Sequence, residues 1–262
     1  MTTPSGAHHE DGEETDFGFK RVRQKDHPGL VSAIFDSVAD RYDVMNDLMS
    51  GGLHRLWKQA LIDWLNPRPA MRLIDVAGGT GDIALRSLDR IVERDSDAST
   101  NVTICDPNYS MLRVASRRIV DAGYLKGVSL ICARAEDLPV TDRSVDACTI
   151  SFGLRNVTER TAALLEMHRV LDIGGHFLCL EFSPSVMPMI SSLYDTYSYR
   201  VLPWLGERVA GDRDAYQYLA ESIRRFPEPD ILADEMRAAG FGNVTYRAMS
   251  GGIVAIHSGW RI

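Results

Sequence analysis

Cysteine is scarce, four residues in 262 (Cys105, Cys132, Cys148 and Cys179), and no two of them stand at C-x-x-C spacing. Each falls within or at the end of an apolar run. The expectation is therefore buried, reduced thiols in sheet strands, which excludes a disulfide framework and points to a cytoplasmic compartment. No His/Cys/carboxylate cluster has metal-ligand spacing, so no metal is expected. No stretch of about 18 uncharged apolar residues occurs, and no apolar signal core follows Met1, so neither a spanning helix nor export is expected. An excess of basic charge is also missing. With 29 Lys and Arg against 36 Asp and Glu, the formal charge of −7 argues against a nucleic-acid footprint spread over the surface.

What remains is an ordinary globular composition, 45% hydrophobic and 25% charged, long enough for one α/β domain. Residues 1–29 are polar and carry Glu10, Asp11, Glu13, Glu14, Asp16 and the basic run Lys20-Arg21-Val22-Arg23, which predicts a flexible arm. The domain proper is expected over 30–262, opening with helices in 30–66. Val31, Ile34, Phe35 and Val38 recur at helical steps, and a second helix is predicted over Leu53–Leu65.

Strands and helices then alternate. Strand candidates are Arg72–Val76, Val102–Cys105, Val128–Cys132, Asp146–Phe152 and His176–Phe182, mostly continuous apolar runs suited to parallel strands covered on both faces. Helices are predicted at Ile83–Val92 and Ser110–Ala122, and through Leu164, Met167 and Leu171 up to Gly174-Gly175. A last helix, Asp230–Ala239, precedes Val244–Ala248 and Ile253–Ser258, which are close enough in sequence to pair as a hairpin and set one edge strand antiparallel. The rhythm breaks at 186–218, where Ile190, Leu193, Tyr194, Tyr197 and Val201 form a helical stripe. That stripe is either a packed lid or an apolar wall for a greasy substrate or membrane surface.

The richest segment is Leu73-Ile74-Asp75-Val76-Ala77-Gly78-Gly79-Thr80-Gly81-Asp82, an apolar strand, a glycine-dense turn and a helix start. Glycines let backbone approach a ligand, and the helix offers unpaired N–H groups. Asp75 and Asp82 flank the turn and no Lys or Arg lies inside it. That charge favours a cationic, phosphate-free nucleoside such as S-adenosyl-L-methionine over a pyrophosphate. Gly79-Thr80-Gly81-Asp82-Ile83-Ala84 also fits G-x-G-x-x-A with Asp106 further on, so a nicotinamide oxidoreductase is the rival, although no Tyr-x-x-x-Lys occurs.

Tyr42-Asp43-Val44-Met45-Asn46-Asp47-Leu48-Met49-Ser50 with His54 and Trp57 resembles the amino-terminal signature of the ubiquinone/menaquinone biosynthesis C-methyltransferases. Arg169-Val170-Leu171, Gly174-Gly175 and Glu181-Phe182-Ser183 resemble their second signature, and Ile150-Ser151-Phe152-Gly153-Leu154-Arg155-Asn156-Val157 is also similar. The likeness runs from about Phe17 to Ile262. It implies a class I S-adenosylmethionine-dependent methyltransferase fold, a mostly parallel seven-stranded sheet closed by a C-terminal antiparallel hairpin. The implied reaction is methyl transfer to a ring carbon of a polyprenylated hydroquinone.

Position by position, the resemblance assigns cofactor contacts to Thr80, Asp106, Arg134-Ala135 and Ser151, joined by Asp75, Gly79 and Gly81 of the loop. Arg134 stands where the family has Asn, so the adenine contact could pass to backbone, Glu136 or Asp137. Asp172-Ile173 replaces the family's Lys-Pro. Arg155 is the candidate to hold a phenolate oxyanion, with Asn156 beside it; as Arg stays protonated, a water, His54 or Asp43 would take the proton. Tyr42, Tyr194 and Tyr197 are candidate substrate contacts. Expected partners are the prenylated hydroquinone, a peripheral contact at the inner membrane face or a quinone-biosynthesis complex, and a homodimer. An O- or N-methyltransferase and a non-catalytic methyltransferase-like subunit stay open as alternatives.

Overall fold

The computed structural model of the chain describes residues 13–38, 46–47, 50–185 and 213–262. The stretch expected as an arm is structured from its middle onward. β1 (Glu14–Phe17) and β2 (Lys20–Arg23) form an antiparallel hairpin, and α1 (His27–Val38) starts three residues before Leu30. Polar composition concealed this because the hairpin is held by tertiary contacts. Phe17 stacks on Tyr218 with ring centroids 4.5 Å apart, and the Phe19 amide donates to Glu221 at 2.9 Å.

α2 (His54–Leu65) buries Trp57, Leu61, Ile62 and Leu65 along one stripe and stops at Asn66, whose φ of 53° turns the chain left-handed before Pro67. The sheet follows: β3 (Arg72–Val76), α3 (Asp82–Arg94), β4 (Asn101–Cys105), α4 (Tyr109–Asp121), β5 (Val128–Ile131), β6 (Val145–Ser151), α5 (Arg160–Val170) and β7 (Leu171–Phe182). The chain ends with α6 (Arg213–Arg225), α7 (Pro229–Ala238), β8 (Gly242–Met249) and β9 (Val254–Trp260).

The seven strands lie in the order β5-β4-β3-β6-β7-β9-β8. β3 to β7 are mutually parallel, while β9 runs antiparallel to both β7 and β8. The antiparallel strand is therefore the penultimate one and not the edge, since reversing twice returns β8 to the common direction.

Two-residue alternation along the strands builds two cores. Leu73, Ile104, Ala147 and Leu178 face α2, α3, α4 and α6, whereas Ile74, Cys105, Cys148 and Phe177 face α5 and α7. Of these, Leu73, Ile74, Ile104, Phe177 and Leu178, fully shielded from water, each contribute roughly 1.5–3 kcal/mol. Three cysteines are buried as expected; Cys132 is exposed, because it stands one residue past the end of β5.

The expected helix through Leu171 ends one residue earlier. Leu171 is already strand, paired with Val145, and the ladder then skips to Ala147 opposite His176. Gly174, at φ 79°, sits in that irregularity and does not cap the helix.

Candidate active site

Strand order reverses between β3 and β6, so their carboxyl ends splay apart and open a crevice there. A cleft of about 390 Å³ occupies it. Its floor comes from Ala77 and Gly79 after β3, Asp106, Pro107 and Asn108 after β4, Arg134 to Glu136 after β5, and Phe152 and Gly153 after β6. Pro28, Gly29, Val31, Ser32 and Phe35 of α1 form the roof. Asn108 ties roof to floor by donating to the Ser32 carbonyl and to Asp36. The fit between floor strands is close. A methyl group on Gly153 would lie 2.5 Å from the Ala77 Cβ, and Ala77 itself holds φ 49°, a left-handed conformation that costs a non-glycine residue about 1–2 kcal/mol.

Asp106 is locked in place by two backbone amides. Its Oδ2 accepts from the Gly79 amide and its Oδ1 from the Asn108 amide, both at 2.8 Å. Burial nevertheless pushes its pKa up to about 6. A carboxylate has about four acceptor sites, so both oxygens keep room for a vicinal diol. Beside the main cleft, sharing Ala77 and Gly79 with it, lies a polar recess lined by Lys58, Asp75, Thr80, Asp82 and Ser151. Asp75 is wholly buried and its Oδ1 accepts from Thr149 at 2.8 Å. Its Oδ2 and the Ser151 hydroxyl are shielded from water with no protein partner. Burial raises the Asp75 pKa to about 7.

Two expectations about the loop change here. Asp82 does not present free charge to a ligand. Burial works against its ionisation, yet Lys58 at 2.7 Å and Arg86 at 3.0 Å hold its pKa down to about 2. The acids left to repel phosphate are Asp75 and Asp106. The amides of Gly78, Gly79 and Gly81 are likewise spent, on the Cys105 carbonyl, Asp106 and the Gly78 carbonyl.

Arg155 sits at the turn after β6 in a short 3-10 helix, its side chain 3% exposed. It donates to Glu181 at 2.7 Å and to the Phe152 carbonyl, and its Nε is buried without a partner. Expected as a free cation, it is neutralised by a buried carboxylate. Asn156 lines the cleft and accepts from the Tyr218 hydroxyl at 3.1 Å. Arg134 reaches the cleft but folds back onto Glu136 at 2.8 Å.

His54 is the first residue of α2, where its amide donates to the Ser50 hydroxyl and its ring shares a 2.9 Å hydrogen bond with the same group; burial, then Lys58, lowers its pKa, and among the described residues it lines neither cleft nor recess. Tyr42, Asp43, Tyr194 and Tyr197 lie outside the described residues, as does most of the expected lid. Lys58, and the pairing of Glu181 of the second signature with Arg155, are features of the site that local sequence did not reveal. A lysine one position after the Trp57 of the first signature and a glutamate inside an apolar strand were the available signals. Asp172, the departure from the second signature, accepts from Arg72 at 3.0 Å at the opposite end of β3.

The model of the ubiE/COQ5 methyltransferase family matches residues 20–261. The chain belongs to that family. It is 52% identical over 250 residues to the ubiquinone/menaquinone biosynthesis C-methyltransferase UbiE of Paracoccus denitrificans, covering 95% of this chain and 97% of that one. Identity is 53% to the UbiE protein of Methylobacterium nodulans, over 96% and 98% of the two chains. A mitochondrial 2-methoxy-6-polyprenyl-1,4-benzoquinol methylase of Oryza sativa is 49% identical over 95% of this chain and 88% of its own. Among solved structures, a SAM-dependent methyltransferase from Thermotoga maritima superposes with a TM-score of 0.61 at 20% identity, over 88% of this chain and 99% of that one, and shares the fold.

The methyl donor implied by family and fold is S-adenosyl-L-methionine, and the residues fit it. Asp106 suits a ribose diol, Met111 and Ala135 give apolar walls for a base, and the unpartnered Asp75 and Ser151 atoms suit an ammonium group. No described helix is long and apolar enough to cross a membrane.

Proposed function

We propose that this chain transfers a methyl group from S-adenosyl-L-methionine to a ring carbon of a polyprenylated hydroquinone in ubiquinone or menaquinone biosynthesis. The observation that carries this reading is near-complete, roughly half-identical overlap with relatives named for that activity. Bound donor would supply an electrophilic methyl on a cationic sulfur. The chain's own residues then have three tasks. Asp75, Gly79, Thr80, Gly81, Asp106, Arg134, Ala135 and Ser151 hold the donor. Asn156, which lines the cleft, holds the ring oxygen, joined by Arg155 through the Nε that Glu181 and the Phe152 carbonyl leave uncommitted; conversion of that oxygen to a phenolate makes the neighbouring carbon nucleophilic. An arginine is a donor to an oxyanion and not a general base, so the proton leaves elsewhere.

Asp43 or a water takes that proton, or His54 by way of a water, since its ring lines neither compartment; burial favours the neutral imidazole that this relay needs. Tyr42, Tyr194 and Tyr197 are proposed to wall the ring and its tail. The tail lives in lipid, which supports a peripheral encounter at the membrane's inner face. Aligning sulfur, methyl and carbon under the α1 roof supplies most of the rate. Incubation with methyl-labelled donor and a demethylated prenyl hydroquinone, under reducing conditions, is expected to label ring carbon by NMR. Label on oxygen or nitrogen, or no transfer, would overturn the proposal. Co-sedimentation with anionic vesicles tests the membrane encounter.

A further inference from the structure

The recess beside the main cleft combines opposite charges in a small space. On one side Lys58, its side chain 6% exposed, projects from α2 to the glycine loop; on the other stand the partnerless Asp75 Oδ2 and Ser151 hydroxyl. The recess measures about 20 Å³ and adjoins the main cleft at Ala77 and Gly79, so it suits the small polar end of a ligand seated in that cleft and not a phosphate chain. It opens into the main cleft past Gly79, where a Cβ would meet nothing within 4 Å. An ammonium carries three donors and Asp82 engages one of those of Lys58, at 2.7 Å. Asp82 does not depend on Lys58 alone, since Arg86 also donates to it at 3.0 Å.

We infer that Lys58 anchors the α-carboxylate of the donor's amino-acid end, while Asp75 and Ser151 take its α-ammonium. The inference rests on the proposed methyltransferase reading and adds a specificity-determining residue to it. The amides of Gly78, Gly79 and Gly81 are spent on internal bonds, and Lys58 is the cationic side chain that lines the recess. Lys58 reads the amino-acid group and not the nucleoside, because Asp106 and the apolar walls lie in the other compartment.

Calorimetric titration of the full chain with S-adenosylhomocysteine, with decarboxylated S-adenosylmethionine and with 5′-methylthioadenosine tests this. Lys58→Met is expected to weaken S-adenosylhomocysteine about 10- to 100-fold, the range for a hydrogen bond to a charged group, and to leave the two carboxylate-free compounds within about twofold. Lys58→Arg should restore much of the loss. Asp82→Asn, which frees Lys58, should bind S-adenosylhomocysteine at least as well as the unaltered chain. Equal weakening of all three compounds, or Asp82→Asn behaving like Lys58→Met, would reduce Lys58 to a strut for the loop and overturn the inference. If the unaltered chain binds none of the three, the methyltransferase reading itself fails, which is a different result from an unchanged Lys58→Met.

Discussion

Replacing Glu181 by Gln should expose how much of the site is held by one buried ion pair. Glu181 is 1% and Arg155 3% exposed, and the guanidinium sits 5.5 Å from the Phe182 ring centroid. Removing one partner of such a pair leaves an uncompensated buried charge and costs about 3–5 kcal/mol. The Phe152 carbonyl and the ring contact survive the substitution, so the lower end, about 3 kcal/mol, is expected. For a chain of this size that is a fall in Tm of roughly 6–12 °C. Urea titration followed by circular dichroism measures it, and the midpoint should move at constant slope. The informative control is Glu181→Leu combined with Arg155→Met, which removes both charges and should recover at least half of the loss. If Glu181→Gln costs less than about 1 kcal/mol, or if the double variant is no better than the single, Arg155 is not trapped and the reasoning fails.

The Asp75 carboxyl sets a pH dependence. Its folded pKa near 7 exceeds the unfolded value near 3.9, so the folded state keeps a proton that the unfolded state releases. The contribution is fully present below about pH 4, is lost as pH rises toward 7, and disappears in Asp75→Asn, as stability curves at pH 5 and 8 will show. For the same reason donor affinity should rise from pH 6 to 8, and a flat profile in the unaltered chain would refute the ammonium contact. Gly153→Ala, with its methyl 2.5 Å from Ala77, should cost about 1–3 kcal/mol and weaken S-adenosylhomocysteine binding; calorimetry unchanged within error would contradict the tight floor. Phe17→Ala should remove the stack on Tyr218, about 0.5–1.5 kcal/mol beyond lost burial, and speed proteolytic cutting before residue 27.

The strands were legible because parallel, doubly covered segments advertise themselves as apolar runs; Arg72–Val76 is found at its predicted bounds. The loop and Asp106 were legible because glycine and acid placement is local chemistry. What escaped depends on partners remote in sequence. Lys58 meets Asp82 across 24 positions and Arg155 meets Glu181 across 26, so neither the neutralised loop nor the trapped guanidinium leaves a local trace. The hairpin at Glu14–Arg23 escaped for the same reason, its polar residues resembling a tail until Tyr218 and Glu221 are brought to it.

That last separation carries a cost during synthesis. The Phe19 amide waits for Glu221, 202 residues downstream. At about 5–20 residues per second, a ribosome needs roughly 10–40 s to deliver that glutamate. Through that interval the amino-terminal hairpin has been made but lacks its grip on α6, so a nascent chain halted before α6 would present the uncovered face of Phe17 to solvent, and to chaperones, as aromatic bait.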